Sequence, residues 1–129
     1  MNPVYFETHF RTSAPAPDWP PEFVIVTAYA TTGERWTSAE NEAADRRLTA
    51  ELRQLRVWTA RITGYSPRTG HAEPGWAADI PFDAACDLGL RYQQDAIFHV
   101  CGDALSVSHC DHRRRLVALG PYRERLRDL

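Results

Sequence analysis

"EFVIVTAYA", residues 22–30, decides the fold. It is a nearly continuous apolar run, rich in β-branched residues, and such a run marks a central strand covered on both faces. The elements on either side must therefore cover it twice.

Downstream, "TTGERW" (31–36) turns the chain into a helix. Thr37 followed by Glu40 matches a capping box, in which each side chain satisfies an orphan amide of the first turn. Ala44, Leu48, Leu52 and Leu55 recur at helical spacing and predict an amphipathic helix over about 38–55. "RVWTARITGY" (56–65) alternates, with Trp58, Ala60 and Ile62 on one face and Val57, Thr59, Arg61 and Thr63 on the other, so it predicts a strand. A loop over 64–75 follows, then a third strand in "WAADIPF" (76–82) and a second helix from an Asp83 cap to about Gln94, with Ala85, Leu88 and Tyr92 facing inward. "AIFHVCGDALSVSHC" (96–110) reads as a hairpin turning at Gly102-Asp103, in which Phe98, Val100, Leu105 and Val107 share one face. "RLVALG" (115–120) adds a short strand and "PYRERLRDL" (121–129) a terminal helical turn. Upstream, "VYFETHFR" (4–11) alternates weakly as an edge strand, and "TSAPAPDWPP" (12–21) is a proline-rich connector.

The order is β-α-β-β-α-β with one more strand closing a hairpin. It predicts an α/β (α+β) fold of the ferredoxin-like split type, with an added C-terminal hairpin strand and a single layer of helices on one sheet. The expected organisation is an N-terminal arm and connector over 1–21, a core domain over 22–110, and a basic segment over 111–129 packed on the same domain.

In that topology several polar residues meet at one end. If the first strand runs upward, helix 1 descends and the second strand climbs again. Tyr29, the start of helix 1, the 64–75 loop and Gln94 then share the top. Asn41 lies on the stripe of Ala44 and Leu48, and a core-facing amide left unsatisfied costs about 1–3 kcal/mol. Its partners are expected in this top cluster, with the 64–75 loop as the simplest choice, or on a ligand. "GHAEPGW" (70–76) carries His71 and Glu73 two positions apart, on the same side of an extended segment, where the carboxylate can orient the imidazole. The expected ligand-binding set is Tyr29, Asn41, His71, Glu73 and Gln94, with Tyr29 as a stacking face, Asn41 and Gln94 as amide partners, and His71 with Glu73 as a polar rim. Glu40 is accounted for by capping, and with Glu42 it makes the helix end a poor phosphate site.

Composition sets the classes of function. At 129 residues, 43% hydrophobic and 25% charged, the chain is an ordinary soluble domain in size and character. No apolar run approaches the roughly 20 residues of a bilayer span, and "MNPVYFETHFRT" lacks a signal peptide's pattern, so a cytoplasmic protein without a membrane role is expected. All 15 basic residues are arginine, which excludes a lysine Schiff base and a Walker-type phosphate lysine. Three cysteines without CxxC spacing argue against a disulfide framework. His99, Cys101, His109, Cys110 and His112 do not share a hairpin face, so neither a metal nor a cofactor is expected.

Four pieces, "FVIVTAY" (23–29), "SAENEAADRRLTAEL" (38–52), "GHAEPGWA" (70–77) and "RYQQDAIF" (91–98), together resemble the bacterial family known as domain of unknown function 3293. The resemblance covers about residues 22–108 and extends to "LGPYRERL" (119–126). Members often carry asparagine after the aromatic of the first strand, where this chain has Ala30. The resemblance implies the extent of the domain and a bacterial cytoplasmic setting. It implies no activity, cofactor or catalytic residue.

The leading expectation is a small binding or regulatory module for an uncharged or mildly cationic polar ligand, or a peptide, at the top cluster. One alternative is a hydrolase or transferase using Glu73 or His71 as general base. Another is a nucleic-acid-binding accessory protein working through the six arginines after residue 112, although a solvated terminal surface is the commoner use of such a cluster. A homodimer through Val57, Thr59 and Thr63 completes the expected partners.

Overall fold

Phe23 and Ile25 point into one hydrophobic cluster while Val24 and Val26 point into another, and all four are buried. That is why "FVIV" has no polar side. The computed structural model describes residues 1–12, 17–31 and 34–128. Its elements are α1 (Val4–Glu7), β1 (His9–Thr12), β2 (Glu22–Val26), α2 (Ser38–Leu55), β3 (Thr59–Tyr65), β4 (Ala72–Ala78), α3 (Phe82–Arg91), β5 (Ala96–Cys101), β6 (Ala104–His109), β7 (Val117–Pro121), a 3-10 turn at Tyr122–Glu124, and β8 (Leu126–Asp128). The strands form one eight-stranded sheet in the order β7-β6-β5-β2-β4-β3-β1-β8. β1 and β8 pair in parallel, and the other pairs are antiparallel.

α2 links β2 to β3 across β4, and α3 links β4 to β5 across β2. Both helices cover the same face: Ala44, Leu48 and Leu52 of α2 join Ala85, Cys86 and Leu88 of α3 over Val24, Val26 and Ala78. The expected capping box is present, with Glu40 N donating to Thr37 Oγ1 at 3.1 Å and Thr37 N donating to Glu40 Oε1 at 3.0 Å. The buried stripe ends at Leu52. Leu55 is exposed, because Arg56 takes a left-handed conformation at φ 56° and turns the chain away.

The expectation of a ferredoxin-like sheet under a single layer of helices is corrected. Strands β1, β7 and β8 extend the sheet at both edges, and it curls. Laid flat, the seven spacings from β7 to β8 would span about 34 Å at roughly 4.8 Å each. The chain passes from Pro121 of β7 to Leu126 of β8 in five residue steps, which reach at most about 18 Å. The two edges must therefore approach each other. Arg125 ties them, its guanidinium donating to Leu119 O of β7 at 3.4 Å and to Thr8 O, just before β1, at 3.0 Å. The result is a half-barrel. Its concave side holds a second core of Phe10, Phe23, Ile25, Ile62, Ala77, Val100, Leu105 and Tyr122, with Trp19 and Trp58 packed against it. Trp19 stacks on Phe23 with ring centroids 4.9 Å apart.

Local corrections follow from the same curl. "VYFETHFR" is not one edge strand: Val4–Glu7 forms a helical turn, and β1 is an interior strand between β3 and β8. β4 begins at Ala72, four residues earlier than expected, so most of "GHAEPGW" is strand and the expected long loop shrinks to the turn after Tyr65. α3 is capped by Pro81 without a side-chain bond, which removes the expected role of Asp83. The terminal segment makes one 3-10 turn and then β8, where a helical turn alone was expected. Val57 packs against the helix-side core, and Arg61 lies over the Trp76 ring while pairing with Asp45. Residues 13–16 of the proline-rich connector, and Thr32 and Gly33 of the turn before α2, lie outside the described residues.

Candidate functional site

At one end of the half-barrel the concave core opens into a cavity of about 90 Å³. Four segments deliver its wall: the end of β2, the end of β3, the start of β4 and the start of β5. Alternation along these strands sends Ile25, Ile62, Gly75, Ala96 and Phe98 inward, and Phe10 joins them from β1 to make an apolar floor. Thr27, Thr31, Ser66, His71, Glu73 and Gln94 form the polar part of the rim, while Val4, Tyr5 and Thr8 bring α1 across the mouth.

The room at the rim depends on Gly75. A methyl built on its Cα would lie 2.5 Å from Val26 O, so β4 approaches the end of β2 more closely than any side chain permits. The ladder between them stops there, and Thr27 takes over by donating from Oγ1 to Pro74 O at 2.8 Å. Pro74 is tolerated inside β4 because β2 ends beside it and leaves β3 as its paired neighbour. Thr27 Oγ1 also accepts from Tyr29 N at 3.1 Å, fixing the exit from the strand.

Glu73 and His71 share a side of the extended segment, with His71 Nε2 and Glu73 Oε1 3.1 Å apart. The imidazole is 71% exposed, whereas the carboxylate is only 24% exposed. Gln94, 7% exposed, donates from Nε2 to Tyr29 O at 2.7 Å and to Tyr92 O at 3.0 Å, tying the end of β2 to the end of α3. Gln93, at φ 58°, turns the chain so that Gln94 points back under β2.

Of the expected set, His71, Glu73 and Gln94 line the cavity. Tyr29 and Asn41 do not. Tyr29 contributes its backbone carbonyl to Gln94, and Asn41 Oδ1 accepts from Ala30 N at 2.8 Å. Asn41 therefore anchors α2 to the end of β2, itself one of the segments expected at the top, and not to the 64–75 loop. Connectivity placed these residues at one end, while the split between lining and bracing depended on side-chain direction beyond the strand, where alternation no longer applies. Sequence reasoning missed Tyr5, Thr8, Thr31, Tyr65 and Ser66. Ile62 had a signal, since it follows from the alternation of β3. Tyr5 had none, because nothing local predicts that the N-terminal turn folds over the far side of the sheet.

Side-chain contacts hold α1 in place. Thr8 Oγ1 donates to Val4 O at 3.0 Å, Tyr5 OH lies 3.4 Å from Thr31 Oγ1, and Glu7 pairs with Arg68 at 2.9 Å. The last pair is exposed and contributes little on its own. The Tyr5 ring meets Phe98 edge to face at 6.5 Å.

Five of the six C-terminal arginines are engaged within the chain. Arg113 pairs with Asp111, Arg114 with Asp83 and Asp87, and Arg123 with Asp103, while Arg125 and Arg127 donate to backbone carbonyls. Among the described residues, no three His, Cys, Asp or Glu side chains converge as a metal site would require, and no helix is long and apolar enough to cross a membrane.

No curated protein and no solved structure matches the chain. The family model described as "Protein of unknown function (DUF3293)" matches residues 26–97, more than half of its length. The match runs from the last residue of β2 to the second of β5. It includes Asn41, His71, Glu73 and Gln94, and stops short of α1 and β1.

Proposed function

The chain belongs to the DUF3293 family of unknown function, and from that premise we propose that it is a binding module whose half-barrel cavity takes a small polar ligand with an apolar end. One observation carries this reading: an aromatic and aliphatic floor and a rim of hydroxyl, amide and carboxylate groups meet in one cavity, whose polar rim lies in the matched segment and whose phenylalanines lie outside it. Binding sites combine a mostly apolar wall with a few fixed polar groups in this way. At about 90 Å³ the cavity is smaller than the roughly 150 Å³ that accepts benzene, so the ligand has only a few heavy atoms inside it. Any larger part extends past α1, whose exposed Glu7–Arg68 pair makes it the part of the wall that yields most easily.

A thermal-shift panel of small polar metabolites tests this, with Ala96→Leu as the blocking variant, since Ala96 faces the cavity and leucine fills it. A ligand selective for the native state raises the melting temperature. Hits on the wild type that vanish in Ala96→Leu support the module, and hits that persist place binding elsewhere.

The His71–Glu73 contact favours a second reading, a hydrolase or transferase in which Glu73 orients His71 as general base. Once a ligand is in hand, Glu73→Gln and His71→Asn separate the two. An enzyme loses turnover at retained affinity, whereas a binding module binds less tightly.

A further inference from the structure

We propose that the cavity is selective for a small organic cation, a short alkylammonium group whose carbon end lies on the aromatic floor. The inference rests on the binding-module reading and adds the sign of the ligand's charge. Among the described residues, Glu73 is the one carboxylate on the cavity wall, and no arginine lies on it. Its Oε1 contacts His71, and Oε2 has no hydrogen-bond partner among the described residues. Gln94 directs both its hydrogen bonds from Nε2, which leaves Oε1 as an acceptor without a described partner. Thr27 Oγ1 already donates its proton to Pro74 O, so it has none to give a ligand. A rim that presents acceptors matches a ligand that brings donors.

The floor suits the ligand's other end. Phe10, Phe98 and Tyr5 line the cavity and offer a short carbon chain an apolar surface. The arginines beside the mouth are already engaged: Arg11 lies 4.9 Å from the Tyr65 ring centroid and Arg68 pairs with Glu7. An anionic ligand would find a carboxylate and, among the described residues, no arginine on the wall. A bare metal ion would find too few oxygen ligands and a mostly apolar surface. An alkylammonium satisfies both halves, offering up to three N–H donors to Glu73 and Gln94 and a short carbon chain to Phe10, Phe98 and Ile62.

The test is an NMR titration of the full chain with three probes of matched size: propylammonium, 1-propanol and propionate. The readout is the shift of backbone and side-chain amide resonances around the cavity, at pH 8.5, where an ordinary imidazole is neutral. Propylammonium is expected to bind at least about tenfold more tightly than 1-propanol, and propionate to bind no better than the alcohol. Glu73→Gln is expected to shrink that preference below about threefold, while Glu42→Gln, at an exposed carboxylate of α2 away from the cavity, preserves it. The wild-type comparison stands on its own if a variant fails to fold. Equal binding of alcohol and ammonium at the cavity overturns the charge selectivity and leaves the binding module intact, as does a preference for propionate. If none of the three moves a cavity resonance at about 50 mM, the module and its selectivity fall together.

Discussion

The rings of Phe10 in β1 and Phe98 in β5 meet edge to face, with centroids 5.0 Å apart, although three strands lie between β1 and β5 in the sheet. Four strand spacings on a flat sheet would hold their backbones about 19 Å apart. The contact exists because the sheet curls, and the same curl makes the cavity floor. Phe10→Ala removes a fully buried ring from this joint and is expected to cost about 3–5 kcal/mol in chemical denaturation. A loss under about 1 kcal/mol would mean that the ring is not buried between the strands.

Gly75 sets the approach of β4 to the end of β2. Gly75→Ala forces a methyl against Val26 O, part of a backbone that cannot swing aside. The expected outcome is a loss of about 1–3 kcal/mol, together with weaker binding at the rim, because β4 must move at the cavity wall. The control Gly102→Ala acts elsewhere: its methyl would meet nothing within 4 Å, and its cost comes from a φ of 62° alone.

Tyr122 is buried in the concave core, and its hydroxyl has no hydrogen-bond partner among the described residues. Burial pushes its ionisation well above the ordinary tyrosine value. Tyr122→Phe removes an unsatisfied polar atom and keeps the ring contacts to Phe10, Phe23 and Trp19. Stability is expected to stay within about 0.5 kcal/mol of wild type or to rise. A large loss would mean that the hydroxyl is bonded.

Cys86 and Cys110 are buried in the helix-side core, and Cys101 is exposed. Burial raises the Cys86 thiol to about 11 and the Cys110 thiol to about 12, against about 9 in an unfolded chain. A thiol raised in the folded state favours folding fully below the unfolded value and loses that contribution as pH climbs through the folded one. Stability is therefore expected to fall from about pH 9 toward pH 11–12, and Cys86→Ala with Cys110→Ala to flatten that decline. A thiol reagent at pH 8 is expected to label Cys101 alone in the native protein, and all three cysteines after denaturation.

What was legible in the sequence is what local chemistry controls. Thr37 and Glu40 announced the start of α2, Gly102 announced the turn between β5 and β6, and consecutive apolar residues in "FVIV" announced an interior strand. The curl was not legible, because it rests on contacts between the two ends of the chain: β1 beside β8, Arg125 across the seam, and Tyr122 under Trp19. Three-residue β8 carries no pattern of its own, and Pro74 inside "AEPGW" hid the early start of β4. For the site, connectivity correctly gathered His71, Glu73 and Gln94 at one end. It could not assign Asn41 to bracing Ala30, nor foresee Tyr5 over the mouth.

The most direct measurement is isotope-filtered NOE spectroscopy on the wild-type chain with propylammonium. The account predicts cross-peaks from the ligand's methyl and methylene protons to the ring protons of Phe10 and Phe98, and from its α-methylene to the Gln94 side-chain amide. Cross-peaks confined to residues away from the cavity, such as Trp36 and Ala43, or none to the two phenylalanines, would contradict it.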